Sequence, residues 1–304
     1  MDINFELYKV FYYVARNLSF SEASNRLFIS QSAVSQAVKL LEEKMGCRLF
    51  TRNTKQVKLT QEGEILFKHV EQAFNFIKAG ERSIDEVHSL KQGEVKIGAS
   101  DSICKYYLLP YFKRFITMYP NIQLRVTNRT SPKCIELLRN GSVDVVVVNL
   151  PDRLERNLKV SKTGTVRDVF VAGSCFQHLK GKKIGLKELE KYPLLMLEKN
   201  STTRDFIDRF FEKMNIRIIP EIELGSVDLL VELAKIGLGI SMVVEDCIHS
   251  ELAAGELFKL DLKEEIPERS RGIVTNNNVP LPAAARKFMD ILMNAPGLNK
   301  PGPA

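Results

Sequence analysis

The sequence predicts a chain in three parts: an all-α head closed by a β-hairpin, a long connecting helix, and a larger α/β region built as two units. Three observations predict this. The first sixty residues carry three successive apolar stripes at helical spacing. Residues 61–90 hold no proline and sustain a single apolar seam. From Gly93 onward, short β-branched runs alternate with amphipathic segments.

The composition sets the bounds. The chain has 304 residues, 44% of them hydrophobic and 27% charged, which is enough apolar material for sizeable cores and excludes a disordered or collagen-like chain. The most apolar region, Leu229 to Val244, is interrupted by Glu232 and Lys235. It falls short of the roughly 18 unbroken apolar residues of a membrane helix. Asp2 and Glu6 precede any basic residue, the wrong flank for a signal peptide, so a cytoplasmic protein with no membrane contact is expected. Cys47, Cys104, Cys134, Cys175 and Cys247 form no CxxC pair, and the four histidines show no ligand spacing, so reduced thiols and no metal or cofactor are expected.

In the head, Leu7, Val10, Phe11, Val14 and Leu18 mark a helix over residues 4–17. Ser19 followed by Glu22 is a capping box that opens a second, short helix ending near Phe28. Ser30 caps a third, along which Val34, Val38, Leu41 and Met45 share one face, and Gly46 ends it. Two helices joined by a turn of about three residues, with another packed behind, make a helix-turn-helix. The second helix of such a pair enters the major groove N-terminus first. Here that end carries Ser30, Gln31, Ser32, Ser35 and Gln36, hydroxyls and amides suited to base edges and phosphates.

Period-two alternation from Leu49 to Leu59 around Asn53-Thr54-Lys55 reads as a hairpin wing. Arg52, Lys55 and Lys58 on it suit phosphate contact. Residues 1–60 hold nine Lys/Arg against five Asp/Glu, which is compatible with a nucleic-acid partner. The bland alternative is a protein-binding three-helix module with a solvated polar face.

The run Ser19-Phe20-Ser21-Glu22-Ala23, then Leu27, Ser30-Gln31, Ala33-Val34-Ser35, Leu41-Glu42, Gly46, Leu49-Phe50, Arg52, Leu59-Thr60 and Gly63 resembles the winged helix-turn-helix of LysR-type transcriptional regulators. Many members carry proline where this chain has Ser32; the helix tolerates either, so the departure bears on base preference. The resemblance implies a winged helix-turn-helix at 1–60, a linker and dimerisation helix at 61–90, and an effector-binding regulatory domain at 91–304.

Along the linker, Leu66, Val70, Ala73, Ile77, Gly80, Ile84 and Val87 alternate at spacings of four and three, an a/d seam needing a partner. The simplest partner is the same helix of a second copy; the alternative is packing on the chain's own domain. The resemblance implies a dimer, often paired into a tetramer, that reads a roughly palindromic promoter site.

In the last two-thirds, Val95–Ala99, Ile122–Val126, Val143–Val148, Val169–Ala172, Leu194–Leu197, Ile222–Leu224 and Ile240–Val244 read as strands. Helices are expected up to about Tyr119, with Pro110 kinking or splitting it, at Pro132–Arg139, Thr202–Met214 and Ser226–Ile236. The pattern is similar to the family's α/β two-subdomain region, itself like type 2 periplasmic binding proteins. It places subdomain one at 91–165 and 269–304 and subdomain two at 166–268, with crossings near 163–168 and 266–271.

Ligands of open α/β sheets sit beyond strand carboxyl ends, where helix N-termini favour anions. The resemblance carries the effector site onto Ser100, Ser102, Thr130, Ser131, Asn149, Thr202 and Thr203, although each of these residue types is also an ordinary helix cap. Arg204 could pair with an anion or make a salt bridge. Two further classes were weighed. An enzyme is disfavoured because GxxxxGK[ST], GxSxG, HExxH and a strand-following GxGxxG are all missing. A redox sensor would use Cys104, in the first turn of a helix where a thiol pKa can fall.

Overall fold

The computed structural model describes residues 3–53, 56–88, 93–151 and 155–294. Lys55 and the tail from Pro296 lie outside the described residues, as do the side chains of Arg52 and Val87. Two compact units divide at Ala79/Gly80. No helix among the described residues is long and apolar enough to cross a membrane.

The first unit opens with helices Phe5–Asn17, Phe20–Leu27 and Gln31–Met45. Their boundaries follow local chemistry. Ser19 Oγ accepts from the Glu22 amide at 3.1 Å, and Ser30 Oγ accepts from the Ala33 amide at 3.2 Å. The Glu22 carboxylate pairs with Arg26 at 3.4 Å, so only the serine half of the expected capping box is built. Gly46 ends the third helix at φ +71, a conformation in which a Cβ would be strained. Phe11, Val14, Ala23, Val34, Val38, Leu41 and Leu49 fill the core.

Strands Phe50–Asn53 and Gln56–Leu59 pair antiparallel with Phe50 opposite Leu59, forming the wing. Helix Gln61–His88 follows. Thr60 caps it, accepting from the Gly63 amide at 3.0 Å while donating to the Arg48 carbonyl at 2.7 Å. Gly63 is required there, because a Cβ would lie 2.1 Å from the Leu49 carbonyl oxygen.

The linker seam divides. Val70 is buried in the head's own core and Leu66 packs against it, whereas Ala73, Ile77 and Ile84 are exposed. Val70 is therefore corrected from partner contact to core. The reason is a second apolar row, Phe67 and Phe74, which lays Phe74 on Tyr12 at 4.8 Å and on Phe5 at 5.4 Å. Spacing alone did not reveal which row the head would claim.

The second unit holds two mixed five-stranded sheets. The first runs Ile122–Asn128, Gly93–Ala99, Val145–Asn149, Arg269–Asn276, Leu158–Val166; its first three strands are parallel and the last two join antiparallel. The other runs Ile222–Leu224, Leu194–Leu197, Ile240–Val244, Asp168–Ala172, Phe258–Lys259. Strands Leu158–Val166 and Arg269–Asn276 escape the sequence reading, because polar residues and a glycine break their apolar pattern. The chain leaves the first sheet at Val166 and enters the second at Asp168. It returns at Arg269.

Pro110 splits its helix as expected. Asp101–Ile103 passes through a π-turn at Cys104–Leu108 into helix Leu109–Met118, whose first turn holds the proline where a missing N–H costs nothing.

Candidate nucleic-acid interface and effector cleft

On helix Gln31–Met45 the buried face is Val34, Val38 and Leu41. Helical geometry then turns Ser30, Gln31, Ser32 and Gln36 outward, all exposed, with Ser35 half-buried. The Ser32 hydroxyl lies 2.8 Å from Ser30 Oγ, so the serine that replaces the frequent proline joins the helix cap. Lys58 is exposed on the wing. A groove of about 660 Å³ runs between Ser35, Gln36 and Lys39 on one side and Gly46 to Phe50 on the other.

Glu42 fixes the wing to this helix. One carboxylate oxygen accepts from the amides of Leu49 at 2.8 Å and Phe50 at 3.2 Å. The sequence reading missed this role; an acidic residue on the edge of the buried stripe was the available signal.

In the second unit, a small cavity of about 20 Å³ lies where the two sheets' domains meet. Ser102, Tyr106, Tyr107, Asn149, Asp246 and Arg271 line it. Of the seven predicted effector residues, Ser102 and Asn149 line this cavity, and Ser100 lies 3.3 Å from Ser102 through their hydroxyls. Thr130 is exposed and Ser131 buried at the start of helix Ser131–Arg139, away from the lining. Thr202 and Thr203 are buried at the start of helix Thr202–Lys213, also away from it, and the Thr202 hydroxyl has no partner.

Three pairs span the cleft. Lys105 meets Asp228 at 2.8 Å, the Tyr106 hydroxyl donates to Asp228 at 2.5 Å, and Arg271 meets Asp246 at 3.2 Å. The Arg271 guanidinium sits 3.6 Å over the Tyr107 ring, and its Nε is buried without a partner. Tyr106, Tyr107, Asp246 and Arg271 were absent from the sequence-based site. Arg271 lies on one of the two unanticipated strands.

Two open questions close here. Arg204 is buried and pairs with Asp208 and Glu223, each at 2.8 Å, while donating to the Leu197 carbonyl at 2.8 Å. It is an internal strut with no orientation left for a ligand. Burial, with Asp101 and Cys134 nearby, pushes the Cys104 thiol up to about 11, opposite to the depressed value a redox sensor needs. The expected helix-terminus effect is outweighed by desolvation.

A winged helix-turn-helix joined by a long helix to two α/β subdomains around a cleft defines the class of DNA-binding regulators. Residues 5–64 match the family described as bacterial regulatory helix-turn-helix protein, lysR family, and residues 88–296 match the LysR substrate binding domain. The chain belongs to the LysR family of transcriptional regulators, which are not enzymes. It is 28% identical over 299 residues to the RuBisCO operon transcriptional regulator of Allochromatium vinosum, covering 97% of each chain. It is 29% identical to the HTH-type transcriptional regulator CfxR of Cupriavidus necator, covering 84% of this chain and 80% of that one. Among solved structures, a full-length OxyR variant from Pseudomonas aeruginosa superposes with a TM-score of 0.71 at 20% identity, over 96% of this chain and 95% of that one. That likeness confirms the fold.

Proposed function

We propose that this regulator is controlled by a small anionic effector taken up between its two regulatory subdomains. The observation that carries the reading is the convergence of the Arg271 guanidinium, the Ser102 hydroxyl and the Asn149 amide on one cavity between them. A guanidinium with an unmet buried N–H is an anion-seeking group. Ser100 acts through Ser102, and Thr130, Ser131, Thr202 and Thr203 complete the site as the cleft opens. The effector moves the balance of two arrangements only by its differential affinity for them.

In this proposal Ser30, Gln31, Ser32, Ser35 and Gln36 face base edges and nearby phosphates, while Arg52, Lys55 and Lys58 hold the backbone. Residues 1–60 read DNA, 61–90 join the copies and 91–304 sense the effector. Two chains pair through the exposed Ala73, Ile77 and Ile84, with Leu66 at the margin. Paired heads read a roughly palindromic promoter, and two dimers build a tetramer in the cytoplasm.

The test is binding of the full chain to DNA upstream of its own gene and the divergent neighbour, across a salt series and a panel of small anions. Salt-sensitive, sequence-selective binding that one anion alters is the expected result. Equal binding to any DNA, indifferent to every anion, would refute it.

A further inference from the structure

We infer that Asp246 is a built-in competitor for the anion position on Arg271, so that an effector binds by displacing it. The inference rests on the cleft reading above and adds how the site is regulated. Among the side chains lining the cavity, Arg271 carries the only positive charge and Asp246 the only negative one.

The same strand provides the contrast. Arg269 grips Asp168 with two bonds, at 2.5 and 2.6 Å, as a saturated fork. Arg271, two residues on, reaches Asp246 through one nitrogen at 3.2 Å and leaves its Nε unmet and buried. A planar guanidinium prefers two parallel bonds to a two-oxygen anion. A ligand carboxylate or oxyanion could take the Nε and a terminal nitrogen together, which the Asp246 carboxylate does not do.

Space requires the exchange. A cavity of about 20 Å³ holds one water and no carboxylate. The Asp246 side chain is 44% exposed, so its carboxylate can withdraw to solvent, whereas that of Arg271 is 12% exposed and held on Tyr107.

Displacement has a route outward. Asp246 belongs to the turn Glu245–Cys247, and the Glu245 amide donates to the carbonyl of Arg167 at 2.9 Å. Arg167 is the residue at which the chain crosses between the sheets. Releasing Asp246 removes one of the three ties across the cleft, next to that crossing. The ligand class is a compact anion with two oxygens in one plane, plus a hydroxyl or carbonyl for Ser102 and Asn149.

The experiment measures thermal shifts of the full chain with acetate, glycolate, inorganic phosphate and sulfate, at constant ionic strength set with chloride. Wild type is compared with Asp246→Asn, Arg271→Gln, Arg271→Lys and the Asp246→Asn/Arg271→Gln double variant, each checked for native circular dichroism. Asp246→Asn is expected to tighten the apparent affinity for an anion by about fivefold or more. Arg271→Gln should abolish the response in both backgrounds, and Arg271→Lys should lose most of it because the fork is gone. Wild-type affinity, or no anion response, in Asp246→Asn overturns the competitor role, while loss of a wild-type response in Arg271→Gln still supports the cleft. A response that survives Arg271→Gln places the anion elsewhere and removes both. Selection of acetate and glycolate over phosphate and sulfate identifies a carboxylate effector, and the reverse identifies an inorganic oxyanion; either supports the inference when Asp246→Asn tightens it.

Discussion

The buried pair Asp168–Arg269 offers the sharpest test of how the regulatory region is held together. Asp168 begins the strand that enters the second subdomain, and Arg269 begins the strand that returns to the first. Their side chains are 0% and 3% exposed and join through two bonds, so the pair ties the two crossings. Replacing Arg269 by Met keeps an apolar stem beside Phe206, which the guanidinium now covers at 5.2 Å, but strands the carboxylate. Leaving one member of a buried pair uncompensated costs about 3–5 kcal/mol.

Its pH dependence has a definite sign. Burial holds the Asp168 carboxyl above its ordinary value, and Arg269 pulls it back down. Arg269→Met removes that pull, so the folded pKa rises further. An acid raised on folding binds more protons in the native state. Its penalty is full above the folded pKa and vanishes below the unfolded value. The variant's deficit should therefore shrink as the pH falls from 7.5 toward the ordinary carboxylate range. Replacing both, Asp168→Leu with Arg269→Met, should return stability to within about 1 kcal/mol of wild type. The assay is urea unfolding followed by circular dichroism at several pH values. A single-variant cost below about 1 kcal/mol, or a deficit that does not change with pH, would refute the reasoning.

Further expectations concern the head and the thiol. Gln31→Ala or Ser35→Ala should weaken specific DNA binding by about 1–3 kcal/mol and leave non-specific binding nearly intact, read by competition titration with unrelated DNA. Arg52→Ala should weaken both and flatten the dependence of log K on log salt by about one contact. Glu42→Ala removes one charged acceptor from two backbone amides and should cost the head about 2–4 kcal/mol, with Glu42→Gln in between, measured by calorimetry of the first unit's transition. Cys104→Ser should leave DNA switching unchanged under peroxide, because the protonated thiol is a poor nucleophile; a lost peroxide response would restore the sensor reading.

What the sequence determined by itself was the local structure. Ser19, Ser30, Thr60 and Gly46 act within four residues of the groups they satisfy, so the caps and turns of the head were legible along the chain. The inward stripe Val34, Val38 and Leu41 followed from helical pitch alone, and it fixed which residues of the third helix face outward. The β-branched run Val145–Val148 announced its own burial.

Tertiary structure decided everything that depends on residues far apart in sequence. Val70 went to the head's core because Phe67 and Phe74 bring that row against Tyr12. Arg269 and Arg271 lie on a polar strand whose role appears only when it pairs between Val145–Asn149 and Leu158–Val166. Their acidic partners are 101 and 25 residues away. Cys104 lost its expected activation to desolvation. Burial and charge pairing depend on the three-dimensional neighbourhood, and periodicity along the chain carries no record of which distant residue will occupy it.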